Sequence, residues 1–358
     1  MNFSDNPLII FYEVTRACML SCRHCRANAQ KARNPLELNI NEIEKLAKNL
    51  SKFDKPKPMI IITGGDPLMR EDIFQILEIF NRENFNVSIS FSGTKLATDE
   101  KLEIISKMVR NVAISIDGSN ENIHDNFRNV KGTFKTSIDI LYKLQGKTSL
   151  QVNTTVGKHN IMDLSNILKL VQSFNIKSWD LFFIVPTGRA TSDLSLNPNE
   201  ILQVMSWLYY VQTSMDLRIK VTEAPFYNRV KIEGPPEEKG DVFNYLMKES
   251  TVKMVKKPLP VTKDTSNMGV TDGRGTIFIS HIGEIQPTGF LPVIAGNVRK
   301  DNIVDVYLNS KIFRDIKNPS LLKGKCKDCN FKEICGGSRA RAYAIYGDYM
   351  QEDPACPF

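Results

Sequence analysis

The sequence predicts an α/β fold in two unequal parts, and three observations carry that reading. Six short β-rich runs alternate with longer amphipathic stretches through residues 1–215. The alternation weakens after Met215. From Gly273 a different texture begins, with short elements gathered around four cysteines. Strand–helix repetition calls for a parallel sheet, because parallel neighbours need a crossover long enough to hold a helix. Six such units suit either an open sheet or a partial barrel. Both place their working loops after the C-terminal ends of the strands.

The elements follow in order. Leu8 to Val14 is the first β-rich run. Ile40 to Leu50 places Ile43, Leu46, Ala47 and Leu50 on one helical face, with Asn39 or Asn41 as the cap. Met59 to Ile62 is the second strand and ends in Thr63-Gly64-Gly65-Asp66-Pro67. Ile73 to Phe80 repeats the helical spacing with Ile73, Ile76, Leu77 and Phe80. Val87 to Phe91, Val112 to Ile116, Leu150 to Val156 and Leu181 to Val185 are the remaining strands. Leu102 to Met108, Phe134 to Leu144 and Leu164 to Phe174 lie between them as helices. Pro198 to Met215 is a further helix. Gly234 to Gly240 is proline-interrupted and polar, as a linker or surface loop is. Thr276 to Ser280, the turn His281-Ile282-Gly283-Glu284 and Ile285 read as a hairpin. The expected organisation is therefore 1–215 as the α/β core, 216–270 as a connecting region and 271–358 as a small C-terminal domain.

Composition narrows the function classes. The chain has 358 residues, 42% hydrophobic and 24% charged, with a formal charge of +7. That apolar fraction excludes wholesale disorder. No run approaches the ~18 uninterrupted apolar residues of a membrane helix. Met1 to Ile10 has no secretory pattern, so the expected location is cytoplasmic. Lysines and arginines are interspersed with acids, so neither nucleic acid nor membrane is an expected partner.

Seven cysteines form two groups. Cys18, Cys22 and Cys25 follow the first strand, and Cys326, Cys329, Cys335 and Cys356 lie near the C-terminus. An odd number in two tight groups suits two thiolate metal sites better than a disulfide framework. Three thiolates can hold three irons of a four-iron cluster and leave one iron open, where a cofactor or substrate can bind. Four thiolates can close a second cluster. By spacing alone, zinc stands beside iron–sulfur for either group.

Cys18-x3-Cys22-x2-Cys25 resembles the signature of the radical S-adenosylmethionine superfamily. Other marks occur in that family's order. His24 takes the place of the usual aromatic residue beside the adenine. Thr63-Gly64-Gly65-Asp66-Pro67 is similar to the Gly-Gly-Glu-Pro motif, whose backbone meets the methionine amino group, with Asp66 for the commoner Glu. Phe91-Ser92-Gly93-Thr94 and Ser115-Ile116-Asp117-Gly118 resemble the turns after strands three and four. Asn153 and Val185-Pro186 match ribose- and adenine-side positions. Read as ordinary residues, the glycines make a turn, Ser115 and Asp117 cap a strand end, and Asn153 is a satisfied polar group.

The resemblance implies a partial (β/α)6 TIM-type barrel with a small C-terminal iron–sulfur domain. It implies S-adenosyl-L-methionine as cofactor, bound through His24, Gly64, Gly65, Asp66, Ser92, Ser115, Asp117, Asn153 and Pro186. It implies reductive cleavage of that cofactor to a 5′-deoxyadenosyl radical, which abstracts hydrogen from a substrate. The electron donor implied is a small ferredoxin or flavodoxin.

The C-terminal group resembles the auxiliary 4Fe-4S sites of SPASM and twitch domains. Thr288 stands where the full SPASM pattern has a further cysteine, so the resemblance implies one auxiliary cluster and two 4Fe-4S clusters in all. Gly336-Gly337-Ser338-Arg339-Ala340-Arg341-Ala342-Tyr343, with Gly289-Phe290-Leu291-Pro292, is similar to enzymes of the alternative haem and haem d1 pathways. The small-molecule substrate implied is a tetrapyrrole side chain, decarboxylated oxidatively or removed. Arg339 and Arg341 could hold propionates bidentately, tune the auxiliary cluster or pair with Asp348 and Glu352. Tyr343 could stack on a flat substrate, and Arg189 stands at the expected barrel mouth. His124, His159 and His281 are given no role. Two other functions fit less of the sequence. A maturase of a ribosomal peptide or enzyme usually carries an N-terminal peptide-binding domain, for which the segment before Cys18 leaves no room. A non-catalytic zinc or iron–sulfur protein leaves Gly64-Gly65 and the strand-end polar residues unexplained.

Overall fold

Isoleucine-, valine- and phenylalanine-rich runs pair here into one sheet, because β-branched and aromatic side chains fill the layer between a sheet and its covering helices. The structure, a computed structural model, describes residues 5–54, 56–174, 176–237, 240–255 and 271–358. Seven parallel strands stand side by side in chain order: β1 Ile9–Glu13, β2 Met59–Thr63, β3 Asn86–Phe91, β4 Asn111–Ser115, β5 Ser149–Val156, β6 Ser178–Phe183 and β7 Arg218–Thr222. On the free side of β1 lies β8, Thr276–Ile279, also parallel. The antiparallel β9, Glu284–Gln286, and β10, Gly296–Asn297, follow it. β7 and β10 are the two edges, so the sheet does not close on itself and the barrel stays partial.

The helices cover the sheet as their periodicity directs. α1, Ile40–Leu50, buries Ile43, Leu46, Ala47 and Leu50. Asn39 caps it in a reciprocal box with Glu42, which decides between the two asparagines. α2 Ile73–Arg82, α3 Asp99–Met108, α5 Thr133–Leu144, α6 Leu164–Ser173 and α7 Pro198–Ser214 match the expected positions. α4, Glu121–Arg128, was not expected. It is polar along most of its length, is capped by Asn120 and ends at Asn129 with φ 57°.

Within the expected connecting region, the described residues up to 255 form regular elements. They hold β7, then α8 Tyr227–Glu233 and α9 Asp241–Ser250, which packs on α6 and α7. Trp207 Nε1 donates to Ser250 Oγ across that packing at 3.0 Å. β7 escaped the sequence reading because it is an edge strand with mixed polar and apolar exposure. Glu238, Lys239 and residues 256–270 of the expected connecting region lie outside the described residues. The C-terminal part joins the same sheet through β8. It adds α10 Ile303–Asn309, α11 Lys311–Lys317 and α12 Arg339–Tyr346.

Candidate functional site

Beyond β1 the chain leaves the sheet and folds into a loop closed by its own backbone. Ala17 pairs with Gln30, and Cys18 N donates to the Gln30 carbonyl at 2.8 Å. Inside this loop Cys18, Cys22 and Cys25 share one small apolar cluster with Leu20, Ala29 and Val130. Two thiols already accept backbone amides. Leu20 N reaches Cys18 Sγ at 3.3 Å, and Ala29 N reaches Cys25 Sγ at 3.4 Å. Such N–H···S contacts favour the thiolate form that a metal needs. Without a metal, burial pushes the Cys18 thiol up to about 11 and raises Cys22 as well. A bound cation reverses that order.

Two neighbouring loops hold the cysteine loop. Gly64 and Gly65, at the end of β2, lie against its backbone. A Cβ on Gly64 would stand 2.5 Å from the Thr15 carbonyl oxygen, and one on Gly65 2.4 Å from that of Ala17. Gly65 N and Asp66 N donate to those same two carbonyls, each at 2.8 Å. The Gly-Gly pair is thus required by close approach as well as by the turn. From β6, Gly188 presses on Cys25 and Arg26 with φ 63°. Arg189 spans the loop from beneath: its N donates to Cys25 O, its Nε to Cys22 O and its Nη1 to Ala29 O, between 2.9 and 3.0 Å. That geometry makes Arg189 a brace of the cysteine loop. Only its Nη2 is buried without a partner.

The other expected cofactor residues surround the same loop. Ser92 Oγ lies 3.7 Å from Cys18 Sγ and donates to Gly65 O. Asp66 is buried. Its carboxylate accepts Leu68 N and Thr94 Oγ1, so the side chain caps its own turn, and burial raises it to about 6. Ser115 and Asn153 are register partners on β4 and β5, and the Asn153 amide oxygen accepts from Gln151. Asp117 is fully buried and accepts Thr155 N. Burial alone would raise its carboxyl, but Arg128, with His24 next, holds it down to about 2. Pro186 is half-buried in the loop after β6.

The residues that sequence reasoning passed over come from α4. Arg128 meets Asp117 at 2.6 Å and reaches Cys22 Sγ at 3.9 Å. Phe127 is sandwiched between His24 and His159, with ring centroids 4.2 and 3.4 Å away and planes within 11°. Burial pushes His24 down to about 3 and His159 to about 4, so both are neutral. His124 Nδ1 accepts the Asp117 amide. The sequence signal was the run His124-Asp125-Asn126-Phe127-Arg128 soon after Asp117. His281 and Arg26 meet at the buried Glu13, tying the end of β1 to the C-terminal part.

The second cysteine group lies beyond α11. Cys326 is buried with Leu322 and Met350. Phe331 N donates to Cys329 Sγ and Gly337 N to Cys335 Sγ, both at 3.4 Å. Burial raises the Cys335 and Cys356 thiols, and the nearby Cys326 adds to both. All seven cysteines are free. Among the described residues no three His, Cys, Asp or Glu side chains converge as a single ion requires; a multi-iron cluster instead spreads its ligands over several metals.

Two expectations change at α12. Arg341 is buried, grips both oxygens of Asp353 at 2.9 and 3.1 Å, and donates to Glu223 O. Arg339 is buried too and donates to Tyr349 O and Gln351 O. Both guanidiniums are held by partners within the chain, and Arg339 Nη2 is buried without one. Their partners are not Asp348 and Glu352, which meet Lys323 and the Lys325 amide. Tyr343 packs with Val185, Leu291 and Ile316, where barrel and C-terminal part meet.

An iron–sulfur cluster with S-adenosylmethionine fits these residues. Three thiols share one loop, and beside them His24 Nδ1, Arg128 Nε and Arg189 Nη2 are buried without partners. Buried polar atoms of that kind want a polar ligand.

Comparison with known proteins points the same way. A sequence profile described as Radical SAM superfamily matches residues 12–171. An AdoMet-dependent heme synthase of Methanosarcina barkeri is 32% identical over 356 residues, covering 99% of this chain and 97% of that protein. An AdoMet-dependent heme synthase of Nitratidesulfovibrio vulgaris is 34% identical over 353 residues, covering 98% and 92%. In three dimensions, Streptococcus suis SuiB bound to S-adenosylmethionine superposes with a TM-score of 0.74 at 14% identity, over 99% of this chain and 78% of SuiB.

Proposed function

The chain belongs to the radical SAM superfamily, and from that premise we propose that it removes or oxidatively decarboxylates a side chain of a haem-type tetrapyrrole. It is a radical SAM enzyme that uses S-adenosylmethionine and a 4Fe-4S cluster. When bound, these supply one-electron cleavage of the sulfonium and a carbon radical able to abstract hydrogen from an unactivated carbon. The observation that carries the substrate is the likeness to AdoMet-dependent heme synthases over nearly the whole chain.

In this reading Cys18, Cys22 and Cys25 hold three irons and leave the fourth open to the cofactor. Gly64 and Gly65 bring their backbone against the loop. Ser92, His24, Ser115, Asp117, Asn153 and Pro186 line the ends of the strands around it. Arg128 and Arg189, each with one unpartnered nitrogen, offer positive charge to a carboxylate there. Cys326, Cys329, Cys335 and Cys356 hold a second 4Fe-4S cluster. The C-terminal part covers one side of the barrel mouth and excludes water from a reactive radical. A ferredoxin or flavodoxin delivers the electron. Among the described residues no helix is long and apolar enough to cross a membrane, in keeping with a cytoplasmic site of action.

Anaerobic loading with iron and sulfide, followed by reduction with S-adenosylmethionine and iron–coproporphyrin, tests the reading. About eight irons per chain are expected from two four-iron sites. 5′-Deoxyadenosine and a porphyrin lighter by carboxyl or side-chain mass should form together, and Cys22→Ala should form neither. Cofactor cleavage without porphyrin binding, alongside turnover of a small precursor peptide, would overturn the substrate.

A further inference from the structure

At the C-terminal end of β7, Glu223 holds a left-handed backbone with φ 63°. A residue with a side chain disfavours this conformation, which calls for compensation. The compensation lies in what the side chain touches. Glu223 is buried against Asp272, which precedes β8 and is buried as well. The two carboxyl groups meet at the first turn of one helix, close enough that each acts on the other's ionisation. Two ionised carboxylates so placed repel, and neither offers a hydrogen to bridge them.

The pair also caps a helix. Ser338 Oγ donates to Glu223 Oε2 at 2.5 Å and accepts Arg341 N at 2.9 Å. Ala340 N donates to Asp272 Oδ2 at 2.9 Å. Both acids thus meet the first turn of α12, just after Cys335-Gly336-Gly337. The charged groups facing them are few. Arg341 is matched by Asp353, with its Nη2 on the carbonyls of Glu223 and Ile184. Arg339 lies near Asp272 and binds carbonyls. Three carboxyls therefore stand with two guanidiniums. Charge balances when one carboxyl keeps its proton.

We propose that Glu223 and Asp272 share one proton and are positioning residues that clasp the start of α12, and with it the Cys335 turn, to the end of β7. Burial pushes the Glu223 carboxyl well above its ordinary range and Asp272 upward with it, in keeping with a retained proton. The clasp joins three distant stretches of chain through one hydrogen. Losing that hydrogen leaves two like charges in contact.

A group whose native pKa is raised binds its proton in the folded state after the unfolded chain has lost it. Stability then falls as pH rises above the ordinary carboxyl range, until the native pair itself titrates. One retained proton changes the unfolding constant about tenfold per pH unit in that window.

Urea unfolding of the cluster-loaded protein, read from pH 5 to 9 under anaerobic conditions, tests this. The parent should lose stability with that slope. Glu223→Gln sets a neutral amide beside Asp272, so its slope should be shallower by about one proton, and it should exceed the parent in stability at pH 9. Glu223→Ala should not be rescued in this way. Infrared spectra of the parent should show the carbonyl stretch of a neutral buried acid at pH 7, lost in Glu223→Gln. That band can be read on the parent alone if the variants do not fold. A parent without the neutral-acid band, or Glu223→Gln with the parent's full slope, overturns the proposal.

Discussion

Arg128 and Asp117 meet at 2.6 Å in a buried ion pair, and the same guanidinium reaches to 3.9 Å from the sulfur of Cys22. One helix, α4, therefore controls both the charge at the end of β4 and the polarity beside the first cysteine loop. Taking away one partner strands the other as an uncompensated buried charge. Asp117→Ala should cost about 3–5 kcal/mol, read as a fall in urea midpoint. Asp117→Asn with Arg128→Met should recover most of that stability without recovering S-adenosylmethionine cleavage.

Arg189 is expected to matter through the loop it braces. Its Nε and Nη1 fork to the carbonyls of Cys22 and Ala29. A lysine has one nitrogen at its tip and cannot make both contacts in that plane. Arg189→Lys and Arg189→Ala should therefore lose iron from the first site to a similar degree, by elemental analysis. Full iron loading in Arg189→Lys would contradict the bracing role.

Gly65 has no room for a methyl group. The Cβ of an alanine there would lie 2.4 Å from the Ala17 carbonyl oxygen, with backbone rather than a flexible side chain as the obstacle. Gly65→Ala should destabilise the chain by about 1–3 kcal/mol and weaken S-adenosylmethionine binding, measured by calorimetry on the iron-loaded protein. At Gly132, by contrast, a methyl group would meet nothing within 4 Å, although the φ of 83° disfavours a side chain there.

Glu13 predicts an acid limit. Burial alone would raise its carboxyl, but Arg26, His281 and Arg16 outweigh that and hold it at about 2, against about 4.5 ordinarily. Its stabilisation is complete above the ordinary value and is lost as pH falls towards 2. The amount at stake is about 3 kcal/mol. Unfolding followed by the fluorescence of buried Trp179 and Trp207 should show Glu13→Gln with a weaker dependence on pH between 4.5 and 3.

Much of this was legible in the chain. The apolar faces of α1 and α2 were readable because each repeats every three or four residues. The cysteine groups were readable because thiols at fixed spacing have few other uses. β7 was not, since an edge strand half in water carries no clean period. α4 was hidden by its polarity: its buried members His124, Phe127 and Arg128 face a loop far away in sequence. The partners of Arg341 were misjudged for a related reason. Asp348 and Glu352 are near in sequence, but the turn after α12 brings Asp353 round instead. Glu223 and Asp272 carry no local pattern at all, because their meaning exists only after three segments converge.

The parallel pairing of β1 with β8 has a consequence for how the protein is made. β1 emerges from the ribosome first, yet Ile9–Tyr12 find their partners at Thr276–Ile279. Until those residues are synthesised, the strand that carries the cysteine loop has one bare edge, open to pairing with another chain. Contacts so distant in sequence close slowly. A nascent chain interrupted before β8 is thus an aggregation hazard as well as an inactive fragment, and insertion of the first metal site competes with the arrival of the last strand that shelters it.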